Sequence, residues 1–462
     1  MELFEKNASV GGKLSVLERD GFSFDLGPSI LILPQLFERV FARAGRRMAD
    51  YLRLEEVHPQ WRSFFADGTT LDLHADIRLM ERELAKLGGG AAGYWDFVAY
   101  SRRLWQRAEA AYLQPGADTA WEIARGHGLR DPRWVTELAW SMAAGVQRHV
   151  REPHLAAMLE FFSKYVGSSP YLAPAMLNSL AYAQLGHGLW YVVGGMYNLA
   201  RGLAALLGEL GVGLHLGAEV TRIVRRGRAV CGVEVAGHGT RRADVVVSNV
   251  EVIPAYRRLL GVSAATLAPM QRRWEPACSG LVMHLGVEGD FPALAHHNFF
   301  FSRDPRRFLR QVHEAKELPE DPTVYVVYPT RSEPGLAPAG HSIIKALPHV
   351  PYLQDEPADY AALAERVLAK LERMGLTRLR ERIVTQEVLT PHDLERLYGS
   401  NRGAIYGVAA DRRRNLALKA PKRSALFDRL YFVGGSVNPG GGTPMVVLCG
   451  QKVADLVRAE HG

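Results

Sequence analysis

The sequence predicts an α/β fold in which two domains are interleaved along a chain of 462 residues. Near the end of the chain, the apolar residues 430–433 are followed by a Gly-rich loop and by helical spacing over residues 445–457. This is the pattern of a strand that crosses through a loop into a helix. Residues 279–350 contain strand-like runs divided by Pro and Gly, whereas residues 76–159 have helical spacing. A chain of this length can bury the cores of two domains.

The composition excludes several classes of protein. With 47% apolar and 23% charged residues, the chain is neither disordered nor built mainly of membrane spans. The three cysteines, Cys231, Cys278 and Cys449, are far apart, which indicates a reducing compartment, no disulfide framework and no metal site. We expect no signal peptide and no bilayer span, because the sequence shows neither a leader pattern nor an uninterrupted apolar run of about 18 residues. The net charge of +7 favours an anionic lipid surface, because no nucleic-acid-binding module accompanies it.

The first residues resemble the second strand of a Rossmann unit, in which an acidic residue at the strand end binds the adenosine ribose. Glu5, with Lys6 beside it, is the matching position, and Gly11, Gly12 and Lys13 match the turn that follows. A strand, a GxGxxG turn and a helix are expected upstream, beginning roughly 20 residues before the acid. The sequence does not contain them, so we expect an N-terminally truncated Rossmann-type domain.

The next elements follow from local patterns. Residues 21–29 (GFSFDLGPS) alternate like a short strand and end in a Gly-Pro turn, and residues 34–44 have helical spacing. Residues 64–73 form two short runs around Asp67-Gly68, the pattern of a hairpin. Further on we expect a helix over 198–210 that ends at Gly211, then a β-meander with strands at 215–224, 229–236 and 243–249. Near the end, residues 359–374 have the spacing of an amphipathic helix that ends at Gly375.

Residues 165–200 contain no Asp, Glu, Lys or Arg, but prolines and glycines interrupt any continuous helix. A bilayer span is therefore disfavoured. The pattern leaves open a plain buried core and a kinked layer that lines an apolar cavity.

Two segments carry a resemblance to a known family: YFVGGSVNPGGGTPMVVLCGQKVADLV (431–457), and LAHHNFFFS (294–302) followed by PEDPTVYVVYPTRSEPGLAPAGH (319–341). They resemble the bacterial carotenoid desaturase family of the phytoene desaturase type, within the FAD-dependent amine-oxidase and GDI-like flavoprotein superfamily. The resemblance extends over nearly the whole chain. It implies a Rossmann-type FAD-binding domain at residues 1–75, 195–270 and 400–462. A β-sheet-plus-helices substrate and membrane-associating domain is implied at 76–194 and 271–399.

The resemblance also implies the FAD-binding residues. Some lie near the adenosine and the first turns, and others lie against the flavin and its ribityl phosphate. Together they are Glu5, Lys6, Gly11, Gly12, Lys13, Gly27, Pro28, Ser29, Val220, Asn249, Gly434, Gly435, Gly441, Gly442, Thr443, Pro444 and Met445. No catalytic residue is assigned, because no Ser-His-Asp, metal or paired-carboxylate set stands out. His296 and His297 are adjacent on an expected strand and point to opposite faces, so we interpret them as structural or pocket-lining and expect no metal.

The activity that the resemblance implies is FAD-dependent desaturation of a linear carotenoid such as phytoene, with hydride transfer to flavin. The resemblance implies a quinone or oxygen as the electron acceptor. SVNPGGGTPMV (436–446) is also similar to members that act as carotenoid 3,4-desaturases or terminal-methyl oxidases. Another flavoenzyme of this fold, such as an amine oxidase or a saturase, is an alternative. So is a non-enzymatic isoprenoid-binding protein like the Rab GDP-dissociation inhibitors. Because polyenes dissolve only in lipid, we expect a cytoplasmic enzyme attached peripherally to a membrane.

Overall fold

A computed structural model describes residues 1–127 and 133–462. The strands, numbered in chain order, are β1 (Glu2–Phe4), β2 (Val16–Arg19), β3 (Phe22–Asp25), β4 (Leu54–Glu56), β5 (Trp61–Phe64), β6 (Thr70–Leu73), β7 (Trp190–Val192), β8 (Gly213–His215), β9 (Val220–Arg226), β10 (Ala229–Val235), β11 (Gly239–Arg242), β12 (Val246–Ser248), β13 (Ser279–Gly280), β14 (Val282–Glu288), β15 (His297–Phe300), β16 (Val324–Val327), β17 (His341–Val350), β18 (Ile383–Leu389) and β19 (Leu430–Phe432). The helices are α1 (Gln35–Arg43), α2 (Ile77–Ala85), α3 (Tyr94–Ala108), α4 (Ala120–His127), α5 (Arg133–Ala139), α6 (Met142–Gln147), α7 (Pro153–Glu160), α8 (Ser179–Leu185), α9 (Tyr197–Glu209), α10 (Val252–Pro254), α11 (Ala264–Arg273), α12 (Pro305–Arg310), α13 (Tyr360–Arg373), α14 (Leu379–Arg382), α15 (Pro391–Tyr398) and α16 (Thr443–His461).

The largest unit is an eight-stranded sheet in the order β18-β14-β17-β16-β15-β5-β6, with β13 paired to β17. Its central pairs are antiparallel, and β15 with β5 is parallel. Four of its strands come from residues 282–350, which confirms the strand-rich segment expected there. The hairpin expected at 64–73 is β5-β6, in which Phe64 pairs with Thr70, so it forms the edge of the same sheet.

The two faces of this sheet pack differently because side chains alternate along each strand. Ile344 and Ala346 of β17 pack in one cluster with Leu363, Val367 and Leu371 of α13. This confirms the amphipathic helix expected at 359–374. From the neighbouring strand positions, Lys345, Leu347 and His349 line an internal cavity. The sheet therefore has one closed, apolar face and one face turned to a ligand space.

A second group of strands surrounds the two ends of the chain. β1 is parallel to β8, and β12 is parallel to β19. The pairing of β12 with β19 confirms the strand expected at 430–433. It also confirms that the chain returns to this strand after the meander. Strands β9, β10 and β11 form the antiparallel meander.

One expected strand is wrong in detail. Residues 215–224 are not continuous, since β8 ends at His215 and β9 begins at Val220. Gly217 has φ +64° and turns the chain between them. In that turn the Ala218 N–H donates to the Glu5 carbonyl at 2.8 Å. This contact ties the acidic residue of the first loop to the meander.

The other helical expectations are confirmed. Residues 34–44 form α1, 198–210 form α9 with Gly211 at φ +68°, and 445–457 lie within α16. Most of residues 76–159 are helical over α2 to α7, outside the undescribed residues 128–132. The division of the chain into a cofactor domain and a substrate domain stays a prediction.

Replacing Leu371 with Ala should lower the free energy of unfolding by about 3 kcal/mol, because this fully buried side chain joins α13 to the closed face of the sheet. Denaturant melts followed by circular dichroism measure the change. Arg366→Ala, on the exposed face of the same helix, is the matched control and should change stability by less than about 0.5 kcal/mol. Equal losses in the two variants would contradict the packing of α13 on the sheet.

Candidate functional site

One continuous cavity of about 1890 Å³ runs through the interior of the protein. Every residue that the sequence analysis assigned to the cofactor lies on its wall. These residues come from three distant parts of the chain, so the fold brings them together. Their direct contact with FAD stays a prediction.

The first loop and the Gly-Pro turn form one part of the wall. A Cβ on Gly27 would lie 1.7 Å from the carbonyl oxygen of Lys13, so the two turns touch backbone to backbone. The Lys13 Nζ donates to the carbonyl of Ile405 at 3.2 Å and lies 3.7 Å from Glu251 Oε1. Burial lowers the pKa of Lys13 and raises that of Glu251. The Lys13 side chain is 34% exposed and that of Glu251 is 14% exposed, and this pair joins the N-terminal loop to the segments at Glu251 and Ile405.

The Gly-rich loop between β19 and α16 forms the facing part. Gly434 has φ +101°, and a Cβ there would lie 2.8 Å from Asn249 Oδ1. A Cβ on Gly441 would lie 2.7 Å from the Tyr406 carbonyl oxygen. The loop thus lies flush against its neighbours, and its other side is open to the cavity because no side chains intervene.

The start of α16 suits a phosphate. Among the described residues, the backbone N–H groups of Gly441, Gly442 and Thr443 have no acceptor. A helix N-terminus with free N–H groups carries a partial positive charge and binds anions. Glycine cradles and a free helix start together fit a flat dinucleotide cofactor.

The acidic residue of the first loop lies at another part of the wall. The Glu5 Oε1 atom accepts a hydrogen bond from the Asn7 N–H at 2.8 Å. Val220 and Ile223 of β9 line the cavity with it. An acidic side chain beside an apolar strand face is the combination expected for a ribose and an adenine ring.

Lys345 is a site residue that the sequence analysis missed. Its Nζ donates to the Asp25 carbonyl at 3.0 Å, to the Gly27 carbonyl and to Ser29 Oγ at 3.2 Å. Burial lowers its pKa to about 8. Lys345 therefore fastens the large sheet to the Gly-Pro turn. A signal was available, since it is the only Lys, Arg, Asp or Glu in the apolar run 341–350.

Away from the glycines, the cavity wall becomes aromatic and uncharged. His349 Nε2 lies 3.3 Å from the Tyr406 hydroxyl, and Tyr325 OH lies 2.8 Å from His297 Nδ1. Burial lowers the pKa of His349 to about 4 and that of His297 well below its usual range. Both imidazoles are therefore neutral at physiological pH.

His296 and His297 are buried beside each other, and each ring is held by a hydroxyl. His296 Nδ1 lies 2.7 Å from Ser332 Oγ, and His297 is bound by Tyr325. These contacts support the structural interpretation, and neither histidine is among the residues that line the cavity.

One group of three metal-ligand types occurs among the described residues, formed by Asp72, His74 and Glu83. Its carboxylates already have cationic partners: Arg62 binds Asp72 at 2.7 Å, and Lys86 binds Glu83 at 2.6 Å. Because these partners already neutralise the carboxylates, we assign no metal to this group.

The charge-free segment 165–200 supplies much of the remaining wall. Its lining residues are Tyr165, Val166, Pro174, Met176, Leu177, Ser179, Leu180, Ala183 and Ala200. Other residues of the segment, including Ala173, Ala181 and Leu189, are fully buried in the core. Both interpretations left open by the sequence therefore apply, to different side chains. Ile123 of α4 and Leu138 of α5 extend the apolar wall.

Comparison with known proteins agrees with this geometry. A sequence model of the flavin-containing amine oxidoreductase family matches residues 1–458. A 4,4'-diapolycopene oxygenase of Methylomonas sp is 50% identical over 100% of this chain and 93% of its own length. A 4,4'-diaponeurosporene oxygenase of Staphylococcus aureus strain Mu50 is 45% identical over 100% of this chain and 94% of its own length.

Solved structures show the same fold at low identity. An oxidoreductase from Methanosarcina mazei superposes with a TM-score of 0.62 at 16% identity, over 98% of this chain and 94% of its own. Wild-type putrescine oxidase bound to putrescine superposes with a TM-score of 0.62 at 15% identity, over 99% of this chain and 93% of its own.

Replacing Gly441 with Ala should reduce FAD binding at least about tenfold, because a Cβ 2.7 Å from the Tyr406 carbonyl forces the loop to move toward the cofactor space. The measurement is the flavin absorbance per chain after gel filtration. Gly208→Ala in α9, where a Cβ meets nothing within 4 Å, is the control and should keep the wild-type flavin content. Full flavin content in the Gly441 variant would contradict the assignment of this loop.

Proposed function

The chain belongs to the flavin-containing amine oxidoreductase family, and on that basis we propose that it oxidises a linear carotenoid at or near a terminal carbon. The glycine cradles, the free N-terminus of α16 and the acidic Glu5 fit FAD as the cofactor. When bound, FAD supplies the hydride acceptor that oxidation of a C–H bond requires. The remaining work of binding, orientation and water exclusion belongs to the chain.

The observation that carries this proposal is the size and character of the cavity. Ligand pockets commonly measure about 300–1,000 Å³. A volume of about 1890 Å³ leaves room for an elongated second ligand besides a dinucleotide. The wall beyond the glycines is formed mainly by apolar and aromatic side chains, which suits a polyene. Charged groups on that part of the wall are few and buried, so an amine substrate would lack a carboxylate partner.

The relatives favour terminal oxidation over desaturation of phytoene. Those at 50% and 45% identity are oxygenases of 4,4'-diapolycopene and 4,4'-diaponeurosporene, which are linear carotenoids. Phytoene desaturation, which the residues at 294–341 suggested, is the less supported specificity. An isoprenoid carrier without catalysis is not supported, because the relatives over the full chain are named as enzymes. Return of the electrons to oxygen or a quinone is part of the proposal.

A membrane surface is the proposed source of the substrate. No helix among the described residues is both long and apolar enough to cross a bilayer. On α4, the exposed Trp121 lies beside the cavity-lining Ala120 and Ile123. After α5, whose Leu138 lines the cavity, Trp140 is also exposed. Exposed tryptophans next to a cavity wall fit a surface that dips into a lipid interface and admits a polyene.

The proposed activity is tested with the FAD-loaded protein and vesicles that contain either 4,4'-diapolycopene or phytoene. We expect an oxygen-containing product from 4,4'-diapolycopene, detected by mass spectrometry, and flavin bleaching when oxygen is removed. Phytoene should react at least about tenfold more slowly, since the relatives are named for 4,4'-diapolycopene and 4,4'-diaponeurosporene and not for phytoene. Flavin bleaching by putrescine, with no reaction of either carotenoid, would show an amine oxidase instead.

Exchange of Trp121 and Trp140 for Ser should weaken binding to vesicles of phosphatidylcholine and phosphatidylglycerol about tenfold or more. Each aromatic ring that the membrane removes from water contributes on the order of 1 kcal/mol. Co-sedimentation measures the bound fraction. Trp95→Ser, at an exposed tryptophan of α3 that does not line the cavity, is the matched control and should bind normally. Equal losses would refute a specific docking surface at α4 and α5.

A further inference from the structure

Lys164 carries an amino group that the proposed reaction does not yet use. Lys164 lies in the 3-10 helix Phe161–Val166, directly after α7. Its side chain lines the cavity, and the residue is 6% exposed. Its Nζ is surrounded by aromatic rings at centroid distances of 4.1 to 5.1 Å. The four rings are those of Trp61, Tyr165, Phe299 and Tyr325.

Among the lysines of the described cavity wall, Lys164 is the one without a hydrogen-bond acceptor or an ion pair. Each of the others donates to a main-chain carbonyl. Lys6 donates to the carbonyl of Arg396, Lys13 to that of Ile405, Lys345 to that of Asp25 and Lys419 to that of Val408. These four lysines fasten segments of chain to each other. The amine of Lys164 makes no such contact with another segment among the described residues.

The aromatic cage does not satisfy this amine either, because its hydroxyl groups point to other partners. Tyr165 OH donates to Gln184 Oε1 at 2.6 Å, and Tyr325 OH pairs with His297. The Nζ atom thus has four ring faces around it but no hydrogen-bond acceptor, and it lies on the cavity wall where a ligand can reach it.

Burial lowers the pKa of Lys164 well below its usual range, and no carboxylate opposes the shift. The lowered pKa favours the neutral form of the amine, which is the nucleophilic form. The neighbouring groups His297 and His349 add no opposite charge, because burial also lowers their pKa values.

We propose that Lys164 binds the aldehyde end of an oxidised polyene as a reversible imine. The inference rests on the proposed function, since repeated oxidation of a terminal carbon gives an aldehyde. The Nζ lone pair attacks the carbonyl carbon, a C–N bond forms, and the C=O π bond breaks to give a carbinolamine. Loss of one water leaves a neutral C=N bond that lies among the four rings. No electrons are transferred, and addition of water reverses the step.

Lys164 is in this view a specificity residue. A hydrocarbon end gains nothing from the amine, whereas an aldehyde end gains a covalent bond. The protein would therefore hold a polyene that has already been oxidised more firmly than its hydrocarbon precursor.

Reductive trapping tests the inference on the FAD-loaded protein. The probe is crocetindial, a linear polyene with an aldehyde at each end, followed by sodium borohydride, which reduces a neutral imine, and peptide mass spectrometry. We expect about one adduct per chain, at Lys164. Lys164→Met should lose at least about nine-tenths of the adduct, whereas Lys86→Gln, at an exposed surface lysine, should keep it.

Absence of an adduct at Lys164, or equal labelling of surface lysines, overturns the inference. The peptide map of the wild-type protein decides this even if Lys164→Met does not fold, and flavin content and thermal melting show whether it does. Trapping needs no turnover. Labelling at Lys164 without oxidation of 4,4'-diapolycopene would refute the proposed function alone, and oxidation without labelling would refute the imine alone.

Discussion

The hydrogen bonds from Lys345 to the Gly-Pro turn set the arrangement of the site. Three oxygens, from Asp25, Gly27 and Ser29, accept hydrogen bonds from one buried amine. Through this contact, the ligand-facing side of the eight-stranded sheet is held over the turn that lines the cofactor space. Loss of the amine would leave buried carbonyl oxygens without a donor, which is costly in a site of low dielectric constant.

Backbone packing also holds the Gly-Pro turn in place. Gly27 lies against the Lys13 carbonyl, and the side chain of Asp25 accepts hydrogen bonds from the N–H groups of Met196 and Tyr197 at the start of α9. Burial raises the pKa of the Asp25 carboxyl, so these bonds and the nearby Lys345 offset part of that cost. Sheet, turn and helix thus meet at one small polar centre, and the open cavity extends from it in an apolar surrounding.

The aromatic part of the cavity shows how burial changes chemistry. Burial lowers the pKa of Lys164 because no opposite charge is near, and this favours its neutral form. A wall with few charges accepts a polyene without removing hydration from ions. The neutral form of a lysine is also its nucleophilic form. Apolar binding and latent reactivity therefore have the same physical origin.

Local sequence patterns predicted most of the fold. Glycine at turns, alternation in strands and 3.6-residue spacing in helices act over short distances, so α1, α9, α13, α16 and the hairpin β5-β6 could be predicted from the chain. The strand expected at 215–224 failed because Gly217 adopts a positive φ that a hydrophobic pattern does not reveal. The assignment of cofactor residues came from a resemblance of motifs, and the fold assembles all of them on one wall.

Most helices, the hairpin and the glycine loops follow from the amino-acid sequence alone, because each depends on neighbours a few residues away. The roles of Lys164 and Lys345 instead depend on how the chain folds back on itself. Both are single lysines in or beside apolar runs, a local pattern that marks them as unusual but does not reveal their partners. Lys345 finds three oxygen acceptors 316 to 320 residues away, and Lys164 finds aromatic rings from four separate positions of the chain. Protonation and reactivity follow from those distant partners, since burial and missing counter-charges are properties of the folded interior.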